Sequence, residues 1–216
     1  MGNGKKTVRL DQMLSAQNLG SRKDVSKWIR KGSASVNGEI VRSPERKVCP
    51  ETDEICYKGQ EILYRQYLYI MMNKPAGVLS ASRDRKSRTV LNLVPPPLNR
   101  RGLFPAGRLD KDTTGLLIIT DDGDFAHQML SPKKHVYKRY EARLQRSATE
   151  EDAKAFAGGA RLRVISHAPA RLWPKPGPCG SVANVEVRDV KHHPVTRICD
   201  AHNKRVLEPK RFKSRA

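Results

Sequence analysis

The chain is poor in the residues that build disulfide-bonded or membrane-spanning proteins. Aromatic residues make up 6% of its 216 residues, and its four cysteines form no C-x-x-C pair. This spacing argues against zinc ribbons and dithiol redox motifs. The sequence has no apolar stretch long enough to span a bilayer, and its N-terminus lacks the apolar core of a secretory signal. We expect a cytoplasmic protein that binds no membrane.

Acidic residues are scarce relative to basic ones. The chain has 22 Asp and Glu against 42 Lys and Arg, which gives a formal net charge of +20. Such an excess opposes compaction, because like charges repel one another. Binding to a polyanion is the usual reason to tolerate it, and no amphipathic stretch with a basic face indicates a membrane surface. The composition therefore predicts nucleic acid as the partner.

Several motifs of cofactor and metal enzymes are also missing. The glycines do not follow P-loop or dinucleotide-binding spacing, and the histidines form no H-x-x-x-H or H-E-x-x-H motif. No serine lies in a G-x-S-x-G elbow. We therefore expect neither a cofactor nor a bound metal.

The patterns that are present divide the chain into four segments. They are a basic tail, a compact unit of two helices and short strands, a linker and a larger strand-rich unit: 1–8, 9–62, 63–68 and 69–216. In the compact unit, Ser21 is the expected N-cap of the second helix. Asn37-Gly38 predicts a tight hairpin turn. In the larger unit, the apolar and alternating runs predict strands at 69–72, 78–81, 116–120, 137–144 and 181–188.

The second predicted helix carries a dense set of cations on and around its polar side. They are Arg22, Lys23, Lys27, Arg30 and Lys31. Charged runs usually do no more than face solvent. Here only Asp24 opposes the positive charge, so the pattern favours a surface that faces phosphate groups.

The segment 107–120 holds an acidic residue between two basic ones. Asp110 lies between Arg108 and Lys111, just before an apolar run. Three interpretations follow from the residues alone. The segment is a salt-bridged loop, a metal site that also uses Asp112 and the acids at 121–124, or a nucleophilic carboxylate with Arg108 binding phosphate. All three remain open at this level.

Two sets of motifs resemble known families. Residues 9–62 resemble an S4 RNA-binding domain, through R-L-D at 9–11, S-R at 21–22, W-I-R-K-G at 28–32 and V-N-G at 36–38. Residues 69–144 resemble the catalytic domain of RsuA-type pseudouridine synthases. The matching motifs are M-N-K-P-A-G-V at 72–78, G-R-L-D at 107–110, T-T-G-L-L at 113–117, T-D-D-G at 120–123, L-S-P-K-K-H-V at 130–136 and K-R-Y at 138–140.

This resemblance implies both a fold and an activity. The expected fold is α+β, with a small S4 RNA-binding domain joined to a catalytic domain whose mixed sheet is mainly antiparallel. The expected activity is isomerisation of a specific uridine to pseudouridine in ribosomal RNA, in 16S small-subunit RNA or a pre-ribosomal particle. The resemblance implies that the enzyme needs no cofactor, and we expect it to be a monomer.

The resemblance also implies roles for individual residues. Asp110 matches the nucleophile that attacks a flipped-out nucleotide, Arg108 would hold its phosphate, and Tyr140 matches the ring that stacks on uracil. RNA contacts are expected from a set of basic residues: Arg9, Arg22, Lys23, Lys27, Arg30, Lys31, Lys74, Lys138 and Arg197.

The C-terminal third departs from this family. Where RsuA-type enzymes have E-G-K-[FY]-H-Q-V-[KR]-R-M, residues 189–198 read D-V-K-H-H-P-V-T-R-I. Thr196 replaces the basic residue that reaches the catalytic aspartate in the family, and little sequence follows Lys210-Arg211. These changes imply reduced activity. They leave open the alternative of a non-catalytic S4-type RNA-binding protein or ribosome-assembly factor.

Overall fold

A computed structural model describes most of the chain. The described residues are 7–131, 136–158, 160–161, 166–167, 169–175, 181–187 and 194–215. They divide into two compact units, which we call the N-terminal and C-terminal units. The N-terminal unit runs to Leu68 and also includes Val94–Leu103, although that segment lies within the sequence range of the larger unit. The C-terminal unit comprises Tyr69–Leu93 and the chain from Phe104 onward.

The N-terminal unit contains two helices and six short strands. In chain order they are β1 (Val8–Arg9), α1 (Leu10–Ala16), α2 (Arg22–Arg30), β2 (Ala34–Val36), β3 (Glu39–Val41), β4 (Lys47–Val48), β5 (Ile55–Tyr57) and β6 (Gln60–Glu61). Four of the strands form one sheet in the order β3-β2-β5-β6, and β1 pairs with β4.

The helices of this unit form where their apolar residues recur at helical spacing. Leu10, Met13 and Leu14 of α1 pack with Val25 and Ile29 of α2, and all five side chains are at most 2% exposed. The same core includes the inward-facing residues of the small sheet. Burial of these apolar faces is the main source of stability for such short helices.

Caps and turns of the N-terminal unit confirm the sequence predictions. The Ser21 hydroxyl accepts a hydrogen bond from the Asp24 amide at 3.2 Å and caps α2. Asn37 and Gly38 have φ angles of 51° and 82°, as a two-residue type I′ hairpin turn requires. Lys58 and Gly59 repeat this geometry, with φ angles of 50° and 75°, between β5 and β6.

The C-terminal unit contains the larger sheet and three described α-helices. Its elements are β7 (Tyr69–Lys74), a 3-10 helix (Val90–Leu93), β8 (Phe104–Ala106), β9 (Thr114–Thr120), α3 (Gly123–Leu130), β10 (Tyr137–Leu144), α4 (Glu150–Gly158), β11 (Ala160–Arg161), β12 (Ser166–His167), β13 (Arg171–Lys175), β14 (Val182–Val187), α5 (Pro194–Ala201) and β15 (Val206–Arg215).

Seven strands of the described chain form the main sheet. Their order is β13-β14-β10-β15-β9-β7, and β8 also pairs with β9. The pairing of β15 with β9 is parallel, whereas the other pairs are antiparallel. The sheet is therefore mixed and mainly antiparallel, and the predicted α+β class is confirmed. None of the described helices is both long and apolar enough to cross a bilayer.

One predicted strand is wrong. Residues 78–81 form no strand: Ser80 and Ala81 lie in bends, and Leu79 forms an isolated bridge with Thr89. The Leu79 amide donates to the Arg88 carbonyl at 3.0 Å, and the Ser80 hydroxyl bonds the backbone of Leu109. This apolar segment therefore packs as a loop, because its polar groups bond other loops rather than a neighbouring strand.

Candidate active site

Asp110 lies in the loop that joins β8 to β9. Asp110 is half-buried, its neighbour Leu109 is 5% exposed, and Arg108 is exposed. The Thr113 amide donates to the Asp110 carbonyl at 3.2 Å and closes a turn around the residue. The loop is thus anchored by the buried side chain of Leu109, and Asp110 stays partly accessible to solvent.

The ammonium group of Lys74, at the end of β7, holds the C-terminal side of this loop. Its Nζ donates to the carbonyl oxygens of Pro75 at 3.0 Å, Lys111 at 2.9 Å and Thr113 at 2.9 Å. These three bonds use all three ammonium protons, as a buried lysine requires. Burial lowers the pKa of Lys74, and the negative charges of Asp112 and Asp110 oppose that shift.

The placement of Lys74 contradicts the prediction that it contacts RNA. Its side chain is 0% exposed and its three ammonium protons are bonded to backbone carbonyls, so the ammonium presents no free donor to a phosphate group. Lys74 instead fixes the position of the backbone on which Asp110 is mounted. The sequence prediction failed because a lysine in a basic chain is normally on the surface.

The N-terminal side of the Asp110 loop is held by Ser80. The Ser80 hydroxyl donates to the Leu109 carbonyl at 2.7 Å and accepts from the Leu109 amide at 3.0 Å. Nearby, the Gly77 amide donates to the Lys111 carbonyl at 2.9 Å. The chain after β7 therefore fixes the backbone on both sides of the carboxylate. Sequence reasoning missed Ser80, whose one signal was a polar residue within an apolar run.

Tyr140 lies on β10 and is 3% exposed. Burial raises the pKa of its hydroxyl, the charge and hydrogen bond of Arg211 lower it, and the negative charge of Asp110 raises it. The net shift is upward, so the hydroxyl is protonated at neutral pH. The predicted nucleophile Asp110 and the predicted stacking residue Tyr140 are therefore close enough to interact electrostatically.

Arg211 completes this cluster and was missed by the sequence predictions. It lies on β15 directly opposite Tyr140 on β10, and it pairs with Gly115 on β9. Its side chain is 4% exposed, and its Nε donates to the Leu116 carbonyl at 2.7 Å. The sequence showed only a cation in a basic terminal stretch, whereas the sheet places that cation in the interior beside the tyrosine.

The basic residues predicted to bind RNA from the N-terminal unit are on or beside α2. Lys23, Lys27, Arg30 and Lys31 are exposed. Arg9 of β1 and Arg22 of α2 both form ion pairs with Asp11. Their guanidinium groups therefore lie together, although they are distant in sequence.

Two predicted RNA contacts of the C-terminal unit differ in exposure. Lys138 is 7% exposed and its Nζ donates to the Val136 carbonyl at 3.1 Å, so its contact with RNA stays a prediction that requires neighbouring side chains to move. The alternation of β10 directs this side chain to the buried face. Arg197 of α5 is exposed, and its neighbour Thr196 is half-buried.

Of the acidic residues near the site, Asp122 has a clear structural role. Among the described residues, no group of three or more His, Cys, Asp or Glu side chains could hold an ion. Asp122 caps α3 through the Phe125 amide at 3.0 Å and accepts a hydrogen bond from the Tyr69 hydroxyl. Hydrogen bonds from Phe125 and Tyr69 hold the pKa of Asp122 below its usual value. This residue has a structural role in starting the helix.

Comparisons with known proteins identify the family of the chain. The sequence model of a family described as RNA pseudouridylate synthase matches residues 68–197, and that of the S4 domain matches residues 8–55. An uncharacterized RNA pseudouridine synthase of Bacillus subtilis is 38% identical over 207 residues, which cover 95% of this chain and 87% of the relative.

Two further relatives extend the comparison. The ribosomal small subunit pseudouridine synthase A of Escherichia coli is 35% identical, over 93% of this chain and 86% of its own length. A solved crystal structure of a pseudouridylate synthase matches with a TM-score of 0.61 at 32% identity, covering 96% of this chain and 88% of that one. The chain belongs to the RNA pseudouridine synthase family and carries an S4 domain at its N-terminus.

Proposed function

We propose that the protein isomerises a specific uridine in ribosomal RNA, in the 16S RNA of the small subunit, with Asp110 as the nucleophile. The observation that carries the proposal is the support of the Asp110 loop. Lys74 and Ser80 fix the backbone on both sides of a half-buried carboxylate that lies in the electrostatic environment of Tyr140. Fixed geometry of this kind favours covalent catalysis, because little reorganisation is left to the reaction itself.

In the proposed reaction, the target nucleotide leaves the RNA stack and enters the site. The Asp110 carboxylate adds covalently to the nucleotide, and the bond between C1′ and N1 breaks. The uracil turns, C5 bonds to C1′, the C5 proton is lost, N1 gains a proton and the aspartate is released. The atoms balance without an oxidant, reductant or external energy source, so the chemistry requires one carboxylate and a site that retains the free base.

Other residues would hold the nucleotide during this sequence. Exposed Arg108, two residues before Asp110, is suited to pair with the phosphate of the target nucleotide. The Tyr140 ring is suited to stack on the uracil. Because that ring is 3% exposed, stacking requires that neighbouring side chains move aside when RNA binds.

The choice of ribosomal RNA rests on the whole-length similarity to relatives named small subunit pseudouridine synthase A. The net charge of +20 and the exposed cations of α2 agree with an RNA substrate. We further propose that the enzyme acts as a monomer in the cytoplasm, where ribosomes are assembled.

The test compares two aspartate variants on a 16S RNA transcript. Asp110→Asn should abolish pseudouridine formation and leave RNA affinity within about twofold of the wild type, because the exchange removes the nucleophile and little surface. Asp112→Asn is the matched control, since it removes the same charge two residues away and should retain activity.

Pseudouridine is mapped in the transcript, and tritium release from C5-labelled uridine gives the rate. Residual activity in Asp110→Asn equal to that of Asp112→Asn would refute the assignment of the nucleophile. A wild-type protein that binds the transcript and forms no pseudouridine would instead identify the non-catalytic RNA-binding alternative that the substitution at Thr196 raises.

A further inference from the structure

The N-terminal unit contains a buried carboxylate that is paired with two arginines. Asp11 of α1 is 2% exposed. Arg9 donates to both carboxylate oxygens, with Nε to Oδ1 and Nη2 to Oδ2 each at 3.0 Å. Arg22, the first residue of α2, donates its Nε to Oδ2 at 3.2 Å, and the Ser26 hydroxyl donates to the same atom at 3.3 Å. Two guanidinium groups from separate elements thus share one oxygen atom.

These contacts keep the carboxylate charged. Burial raises the pKa of Asp11, but hydrogen bonds from Arg9 and Arg22 outweigh that effect and bring the net pKa below its usual value. At neutral pH the residue is therefore an ion that attracts both arginines. A buried carboxylate costs solvation energy, and such a cost is often associated with a positioning role rather than with stability.

Both arginines have guanidinium N–H groups that do not bond Asp11 and are open to solvent. The side chains of Arg9 and Arg22 are 38% and 57% exposed, while that of Asp11 is 3% exposed. A guanidinium has five N–H groups, so Arg9 retains three and Arg22 retains four beyond their bonds to Asp11. Glu45 reaches Arg9 at 3.9 Å, but its side chain is 61% exposed and such a surface pair is weak.

We propose that Asp11 is a positioning residue that holds Arg9 and Arg22 side by side as a clamp for one phosphodiester group of the bound RNA. The proposal rests on the proposed function in one respect, namely that the polyanion is RNA. The planar fork of arginine pairs with two phosphate oxygens at once, and two forks on a common anchor define where the phosphate lies. The clamp thereby fixes the register of the RNA strand on α2, where Lys23 and Lys27 are exposed.

A simple charge argument makes the opposite prediction, which gives a sharp test. Asp11→Asn raises the net charge by one. If charge alone governs binding, the affinity for RNA increases. If Asp11 positions the clamp, the affinity decreases, because the two arginines lose their common anchor. The slope of log affinity against log salt should then fall by about 0.7, because one phosphate contact to a single strand is lost.

Glu51→Gln is the matched control. Glu51 is exposed on the same unit, and the change raises the net charge by the same amount. Binding is measured by fluorescence anisotropy with a labelled 16S RNA transcript at several salt concentrations. The expected result is weaker binding by Asp11→Asn and equal or slightly tighter binding by Glu51→Gln. Equal affinities for the two variants would overturn the proposal.

A second variant tests the clamp in case Asp11→Asn weakens binding by unfolding the N-terminal unit. Arg22→Lys keeps the charge and the buried carboxylate, but an ammonium group cannot pair with phosphate as a fork. We expect its affinity to fall several-fold with unchanged thermal unfolding, and wild-type affinity in this variant would also refute the clamp. Pseudouridine formation is measured separately. A wild type whose RNA affinity depends on Asp11 and that forms no pseudouridine would refute the proposed function alone.

Discussion

A methyl group on Gly115 would lie 2.0 Å from the carbonyl oxygen of Arg211. The two residues are paired in the parallel β9–β15 ladder, and Gly115 has a φ of 103°, a conformation that side-chain-bearing residues rarely adopt. The glycine of the T-T-G-L-L motif therefore allows the strand that carries Arg211 to reach the centre of the sheet.

We predict that Gly115→Ala strongly destabilises the C-terminal unit. The positive φ and the backbone clash act together, and the loss in unfolding free energy should exceed ~3 kcal/mol. Gly77→Ala is the control, because Gly77 also has a positive φ, 79°, but has no atom within 4 Å of the added carbon. Urea unfolding measures both variants. Equal losses would show that strain in φ alone, and not the close approach of β15, explains the glycine.

We predict that Lys74→Met lowers the rate of pseudouridine formation with little loss of RNA affinity. The methionine fills the space, but the carbonyls of Lys111 and Thr113 lose their buried donor and the loop shifts. A displacement of about 1 Å at a catalytic group costs roughly 100-fold in rate. The rate is measured under single-turnover conditions with a saturating RNA transcript.

The control for Lys74 is Lys154→Met, on the exposed side of α4. It removes the same charge from the same unit and should leave the rate near that of the wild type. If Lys74→Met instead raised the dissociation constant for RNA and retained its rate at saturation, the original prediction of an RNA contact at Lys74 would be restored.

We predict that Tyr140→Phe retains much more activity than Tyr140→Leu. Phenylalanine keeps the ring that would stack on uracil and loses the hydroxyl that Arg211 contacts. Leucine loses the ring, and base–aromatic stacking contributes about 1–3 kcal/mol. Steady-state rates on the RNA transcript distinguish the two variants. Equal damage by both would assign the function of Tyr140 to its hydroxyl.

We predict that the stability of the C-terminal unit falls as acid protonates Asp122. Its folded-state pKa is lowered by hydrogen bonds from Phe125 and Tyr69, so the contribution is fully present above the unfolded value of about 3.9. It is lost as the pH falls through the folded value. Asp122→Asn keeps an acceptor for the helix cap and should flatten the dependence. Urea midpoints are compared from pH 6 to pH 2, and parallel curves for both proteins would contradict the role of Asp122.

Local features of the fold were readable from the sequence, because they depend on neighbouring residues. The hairpin turn at Asn37-Gly38, the N-cap at Ser21 and the strand at 137–144 were all predicted correctly. The G-R-L-D motif likewise identified the loop of Asp110, since a carboxylate between two cations is unusual.

Features that depend on distant parts of the chain were not readable. Lys74 is buried because it meets carbonyls 37 and 39 residues away, which leave no mark on its own surroundings in the sequence. Lys138 lies on β10 between β14 and β15, and Arg211 lies on β15 between β10 and β9, so both positions depend on strands that are distant in sequence. For all three residues, a basic side chain in a basic protein favoured a surface position that the long-range pairing overrides.

The position of β15 has a consequence for synthesis. It pairs with β10 on one side and β9 on the other, yet it follows every other strand of that sheet in sequence. In the described sheet, β15 separates the strands β13, β14 and β10 from the strands β9, β8 and β7. On a translating ribosome, these two groups of strands are not joined by hydrogen bonds until β15 leaves the exit tunnel. The environment of Tyr140, which includes Arg211 of β15, is thus assembled only after translation of this strand.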